Sequence, residues 1–169
     1  MTGFIRINMI YLSMFETIVI ATDGSESVRR AVDTGLDIAS RFDATVHCLY
    51  VVDENNTDSN KPLSDSDNDQ MTLYEHGEKA VNTVAGRANH EVITAIKHGN
   101  PSDKIEAYAR DIDADVIAMG TRGRHGENRF LIGSVAEKLV RTAPLPVLTV
   151  RQLAADETDE RLSGTPERM

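Results

Sequence analysis

The sequence predicts an α/β protein built on a five-stranded parallel sheet with helices on both faces. Short, apolar, β-branched segments recur along the chain, and a segment with apolar residues at three- and four-residue spacing separates each from the next. Strands buried on both faces are almost continuously apolar, and parallel strands need helical crossovers. The length of 169 residues suits a single domain of this class.

Apolar runs and helical spacing place the elements in alternation. The predicted strands cover residues 17–21, 45–52, 91–96, 115–119 and 147–150. The predicted helices cover residues 28–42, 71–89, a segment starting with Asn100 as N-cap and Pro101 as first helical residue, and 134–141. Ligands of open parallel sheets bind outside the carboxyl ends of strands where the strand order reverses. We therefore expect the site between the first and fourth strands.

Polar segments flank and interrupt this pattern. Residues 53–70 hold six acidic residues against one lysine, a net charge of −5, which is typical of a solvated loop. We divide the chain into an N-terminal extension (1–14), a domain (15–151) and a flexible acidic tail (152–169). Met14 immediately precedes the first strand, and the residues before it add no element that the fold requires. It is therefore the expected working start.

The charge balance excludes one class of function and favours one location. Eighteen basic residues against 27 acidic ones give a net charge of −9, which disfavours binding of nucleic acid through phosphate neutralisation. Few lysines and many aspartates fit either a protein from a high-salt cytoplasm or an ordinary acidic one. No apolar stretch reaches the ~18 residues of a membrane helix, and no signal peptide pattern opens the chain. The sequence therefore predicts a cytoplasmic protein without a membrane partner.

Cysteine and histidine usage points away from disulfide and zinc chemistry. A single cysteine, Cys48, excludes an intramolecular disulfide, and its apolar surroundings indicate a small core residue rather than a nucleophile. The five histidines have no Cys or His partner at the spacing of metal ligands. We expect no zinc site.

A glycine-rich segment after the fourth strand carries the strongest chemical signal. Gly120, Gly123 and the pair Gly133-Ser134 form the pattern G-x2-G-x9-G-S. Glycines let backbone N–H groups approach an anion closely, and a helix start adds free N–H groups and partial positive charge. Residues 119–134 hold three arginines and one glutamate, a net charge of +2 in an acidic protein. The segment favours phosphate binding.

A purely structural role for the same residues is also open. Ser134 and Glu137 form the S-x-x-E pattern of a capping box, so Ser134 could simply cap its helix while Gly133 makes a tight turn. The sequence alone leaves both interpretations standing.

Three stretches of the chain resemble the universal stress protein family. They are Ile18–Ser25, Asp115–Arg124 and Leu131–Lys138, and with the stretch Leu49–Asp53 at the end of the second strand the resemblance covers about residues 15–150. It implies a Rossmann-like fold similar to that of the adenine nucleotide α-hydrolases. The intact glycine pattern implies membership of the ATP-binding subgroup.

The resemblance also implies a set of ligand contacts. Phosphates would be held by Gly123, Gly133, Ser134 and Val135, and Met119 and Gly120 would contact ribose and base. Asp23 would lie beside the ribose and the metal-bound phosphates, the metal being Mg²⁺ or Mn²⁺. The remaining candidates are Val51 and Ala21 in the adenine pocket and the loop cation Arg122. Some ATP-binding members have Pro where Ala21 stands.

Three functions remain open at this stage. The favoured one is an ATP-binding regulator with weak or no turnover, since the chain has no Walker lysine and no lysine anywhere in residues 105–137. The alternatives are a nucleotide-free interaction module and a nucleotide α-phosphate hydrolase. The last strand, 147–150, is apolar and uncharged, so it is the expected edge of a homodimer, as the resemblance also implies.

Overall fold

The computed structural model describes residues 15–53, 66–122 and 132–153, with side chains from residue 73 onward in the second of these ranges. Within them the strands are β1 (Thr17–Ala21), β2 (Thr45–Val52), β3 (Val92–His98), β4 (Val116–Gly120) and β5 (Val147–Val150). The helices are α1 (Arg29–Phe42), α2 (Ser66–Ala85), α3 (Pro101–Asp111) and α4 (Ser134–Thr142), with a short 3-10 turn, Glu26–Val28, leading into α1.

The five strands form one parallel sheet in the order β3-β2-β1-β4-β5. This confirms the predicted fold class. The chain moves outward from β1 to β3 on one side and returns to β4 and β5 on the other, so the strand order reverses between β1 and β4. These two strands pair from Ile18 with Val116 to Ala21 with Met119, which brings their carboxyl ends to the same edge.

Side-chain alternation divides the core into two layers. Ile18, Ile20 and Cys48 face α1 and α2 on one side of the sheet, and Val19 and Leu49 face α3 and α4 on the other. All five are buried. Because β1 and β2 are covered on both faces, they show the continuous apolar pattern from which a parallel sheet was predicted.

Two elements differ from their predicted bounds by more than one residue. Helix α2 begins at Ser66 rather than Met71 and ends at Ala85. Beyond its end the bonds tighten to the i→i−3 pattern, as from Arg87 N to Val84 O (3.1 Å). Strand β3 continues to His98 rather than residue 96, since it pairs with β2 as far as Val52. In β3 the polar residues Lys97 and His98 hid the end of a strand that pairing with β2 extends.

Two local predictions are confirmed. Cys48 is fully buried, and burial raises the pKa of its thiol to about 12, so it is a core residue. The Asn100 side chain caps α3 by accepting from Asp103 N (3.3 Å), with Pro101 at the first helical position. In the part of the chain that the structure describes, no helix is long and apolar enough to cross a bilayer.

Candidate functional site

The carboxyl ends of β1 and β4 form the floor of the candidate site. Beyond β1, Thr22 N donates to Leu49 O of β2 (3.0 Å), and this bond anchors the start of the turn that carries Asp23. Beyond β4, Thr121 N donates to Val150 O (3.1 Å). The sheet therefore holds both exits rigidly at the point where the strand order reverses, which is where ligands of such sheets bind.

Helix α4 starts directly above the end of β4. Gly133 N donates to Thr121 O (2.6 Å), although eleven residues separate the two in the chain. Gly133 is the N-cap of α4 and has an extended backbone. Of the glycine pattern, the structure thus joins Gly120, Gly133 and Ser134 at one place, while Gly123 lies outside the described residues.

The start of α4 has no side-chain cap. Ser134 is the first helical residue rather than the N-cap, and the cap residue Gly133 makes no side-chain hydrogen bond. The capping-box interpretation is therefore wrong, because Gly133, which has no side chain, occupies the cap position. The first intrahelical bond runs from Glu137 N to Gly133 O (2.9 Å). The N–H groups ahead of it are those that a helix start offers to an anion.

Asp23 organises the turn after β1. Its Oδ1 accepts from Ser25 N (2.9 Å) and from Ser25 Oγ (2.7 Å). Gly24 between them has φ +75°, and a Cβ there would lie 3.0 Å from Ala80 Cβ of α2, so any other residue would be strained. Helix α2 thereby packs against this turn, and the half-buried Asp23 lies at the carboxyl end of β1.

An apolar wall lines the α3/α4 side of the same edge. Ala21, Val51 and Met119 lie on the adjacent strands β1, β2 and β4 and face the same side, and Val135 of α4 packs in the same cluster. Ala21 and Met119 are buried, whereas Val51 and Val135 are half-buried. The four residues belong to one apolar cluster beside the start of α4.

Gly120 and Arg122 are not part of this apolar wall. A Cβ on Gly120 would point away from the apolar wall, 3.0 Å from Val28 Cγ1 and 3.1 Å from Arg122 O. Close approach of the turn before α1 therefore explains this glycine without a ligand. Arg122 is half-buried and is the last described residue before the glycine-rich loop.

Sequence reasoning missed two residues that build the site. Thr121 O is the acceptor that positions Gly133, and Gly24 allows α2 to pack on the Asp23 turn. A backbone acceptor leaves no signal in residue type. The Asp-Gly dipeptide after β1 does signal a turn, but it does not reveal the helix that packs on it. In the described ranges, no group of three or more His, Cys, Asp or Glu side chains could hold a metal ion.

The fold and this edge define an α/β protein in which a glycine-capped helix starts at the switch point of its sheet. The sequence profile of the universal stress protein family matches residues 14–151, so the chain belongs to that family. Universal stress protein MJ0531 of Methanocaldococcus jannaschii is 34% identical over 143 residues, covering 83% of this chain and 84% of that protein.

Solved structures of the same fold include proteins bound to nucleotides. The protein MJ0577 superposes with a TM-score of 0.73 at 25% identity and covers 84% of this chain and 99% of its own. A universal stress protein in complex with cAMP has a TM-score of 0.61 at 24% identity, covering 82% and 98%. One from Archaeoglobus fulgidus in complex with dAMP has a TM-score of 0.59 at 22% identity, covering 82% and 99%.

Proposed function

We propose that this chain is an ATP-binding universal stress protein, a nucleotide-dependent regulator of the stress response with weak or no turnover. The observation that carries the proposal is the uncapped start of α4, which the Gly133–Thr121 bond holds over the end of β4. Free N–H groups and the helix dipole at that position suit a phosphate chain.

The rest of the nucleotide would extend along the carboxyl edge. The apolar wall suits a flat base, because pockets for such ligands are mostly apolar with a few placed polar groups. Val51, Ala21 and Met119 would contact adenine and ribose from strands β2, β1 and β4. Asp23 would lie next to the ribose. The cAMP and dAMP complexes of proteins with this fold support an adenine nucleotide as the ligand class.

Magnesium would be held mainly by the phosphates. Mg²⁺ is commonly bound through substrate phosphate oxygens, and Asp23 would lie beside the metal-bound phosphates. The bound metal would supply charge neutralisation at the phosphates. Asp23 orients Ser25 through Oδ1, and we assign it this positioning role rather than that of a base for an attacking water. Slow hydrolysis or none is the expected consequence.

The ligand released from the native protein tests the proposal. Protein purified without added nucleotide is denatured, and the supernatant is separated by anion-exchange chromatography. Release of ATP supports the proposal. AMP would instead indicate an α-phosphate hydrolase. An empty supernatant together with no rise in melting temperature with Mg-ATP would overturn nucleotide binding and leave an interaction module. Ser134→Asp protein, purified in parallel, is the matched control and should release nothing.

Assembly and location complete the proposal. β5 is an edge strand with all four residues half-buried, and Ile132 and Val140 nearby in sequence are exposed apolar side chains. An apolar edge of this kind favours a homodimer formed through the last strand. We place the protein in the cytoplasm, and its net charge of −9 argues against nucleic acid as a partner.

A further inference from the structure

A second concavity lies on the α1/α2 side of the sheet and borders the turn that carries Asp23, through Thr22, Gly24 and Ser25. It has a volume of about 220 Å³ and separates the start of α1 from the middle of α2. Its floor is apolar, with the buried residues Val28, Val32, Ala80 and Val84. None of the ten candidate site residues lines it. We call this concavity the α1/α2 cleft.

The rim of the α1/α2 cleft is basic. Arg29, Lys79 and Arg87 line it and are all exposed, against the single lining carboxylate of Glu26. Glu26 pairs with Arg29 (3.0 Å), and Asp33 beside the cleft pairs with Arg87. Exposed ion pairs of this kind contribute little stability, so their cations can change partners at small cost. Among the described residues Lys79 forms no ion pair.

The described chain ends next to this cleft. After β5, Gln152 Oε1 accepts from Arg30 N (3.1 Å), and Arg30 Nη1 donates to Arg151 O (2.8 Å). Gln152 is thus held at the first turn of α1, one residue along from Arg29 of the rim. The described part stops at Leu153.

The residues that follow are strongly acidic. Residues 156–160 read Asp-Glu-Thr-Asp-Glu, four carboxylates in five positions. Crossing the end of a helix requires ~10 Å, and an extended chain covers ~3.3 Å per residue. The four steps from Gln152 to Asp156 are therefore long enough to bring the first carboxylate over α1 to the rim.

We propose that the acidic residues 156–160 of this chain dock on the basic rim of the α1/α2 cleft. Three observations support this occupant: the tether at Gln152, the sufficient length of chain after it, and the opposite charges of the two surfaces. The tether gives the segment a high effective concentration, which a separate acidic peptide lacks. The proposal does not depend on nucleotide binding.

Amide chemical shifts of the full chain test the docking. The variant Asp156→Asn, Glu157→Gln, Asp159→Asn, Glu160→Gln removes the four charges, and Glu167→Gln is the matched control in the same tail. We expect the fourfold variant to shift amides of the 24–29 and 79–87 segments, with α3 and α4 unchanged, and the control to leave them all in place. Shifts confined to residues near the substitutions, or equal effects of the control, would overturn the proposal.

A zero-length carbodiimide cross-link tests it on the native chain without any substitution. Lys79 should be joined to the tryptic peptide 152–161, which contains all four carboxylates. Lys104 and Lys138 lie on the helices of the opposite face, so they are internal controls and should give little product. Equal yields at these lysines contradict docking at the cleft. In a mixture of isotopically light and heavy chains, products that join different chains would contradict docking within one chain.

Discussion

Ser134 shows how one residue separates a phosphate site from a helix cap. The sequence is compatible with Ser134 as the N-cap, and replacing an N-cap serine by alanine costs about 1 kcal/mol of stability. The structure instead places Gly133 at the cap, so Ser134→Ala should leave the free energy of unfolding nearly unchanged. Ser134→Asp should also be tolerated, since an acidic residue in the first turn suits the helix dipole.

Ser134→Asp should nevertheless abolish ATP binding, because its charge would face the phosphates. Like charges near a protein surface repel by several kcal/mol at contact distances. At a hundredfold excess over Kd, ATP adds about 2.7 kcal/mol to stability. The rise in melting temperature with Mg-ATP therefore reports binding directly. Ser134→Asn, which has similar size and no charge, is the matched control. If Ser134→Asp keeps the full rise in melting temperature with Mg-ATP, the phosphates do not bind at the start of α4.

His47 provides a pH-dependent contribution to stability. Its ring faces α3, and Tyr108 Oη lies 2.9 Å from His47 Nδ1. Burial lowers the pKa of His47 below its usual value near 6.5. The unfolded state therefore binds a proton more readily, so the stability due to neutral His47 is present above about pH 6.5 and is lost as the pH falls towards the folded pKa.

Chemical denaturation between pH 7.5 and pH 5 tests this contribution. His47→Gln should lose less stability over that range than the parent protein. Tyr108→Phe should be less stable by about 1 kcal/mol at every pH, but it should keep the parent's pH dependence, since burial rather than the Tyr108 bond lowers the pKa of His47. Equal pH dependence in His47→Gln and the parent would exclude the histidine as the source.

At the scale of elements, the packing of α2 on β2 depends on one glycine. A Cβ on Gly77 would lie 2.7 Å from Cδ1 of Tyr50, whose ring is buried against the helix. From the sequence, a glycine inside a helix only weakened the prediction of α2. In the structure the same glycine allows the helix to approach the sheet.

Gly77→Ala should therefore destabilise the protein by about 1–3 kcal/mol, the range for an overpacked core. Gly86→Ala is the matched control, since a Cβ there would lie at an ordinary 3.4 Å from Asn82 O. The control should cost little or nothing. Urea denaturation of both variants measures the difference. Equal stabilities would mean that Tyr50 moves aside without cost.

At the scale of the whole molecule, the open question is assembly through β5. Pro146 O and Val150 O accept from β4, so by alternation the Thr149 N–H points to the free edge. Leu148 packs against the core on the α1 side, so a charge at that position would disturb folding as well as assembly. Thr149 is therefore the better place to interrupt an edge.

Thr149→Pro should convert a homodimer to monomers with little loss of fold, because proline is accepted on edge strands. Thr149→Ala keeps the N–H and should remain dimeric. Light scattering at micromolar concentration measures the mass, and circular dichroism checks the fold. A dimeric Thr149→Pro protein would place the interface elsewhere, and a monomeric parent would end the proposal.

The sequence by itself determined the fold class, four of the five strand positions to within one residue, and the start of α3. It could do so because these features are local: a parallel strand is apolar along its whole length, and Asn100-Pro101 forms its own cap. It also located the switch point, since alternating strands and helices leave few possible orders for a parallel sheet.

Only the tertiary structure decided the geometry at that switch point. The Gly133–Thr121 bond, the identity of the α4 cap and the demand for glycine at Gly24 and Gly120 all arise from contacts between distant segments. Residue types and their spacing do not specify such contacts, because every residue has a backbone acceptor. In the sequence, a glycine that binds phosphate also cannot be distinguished from one that lies under a packed helix.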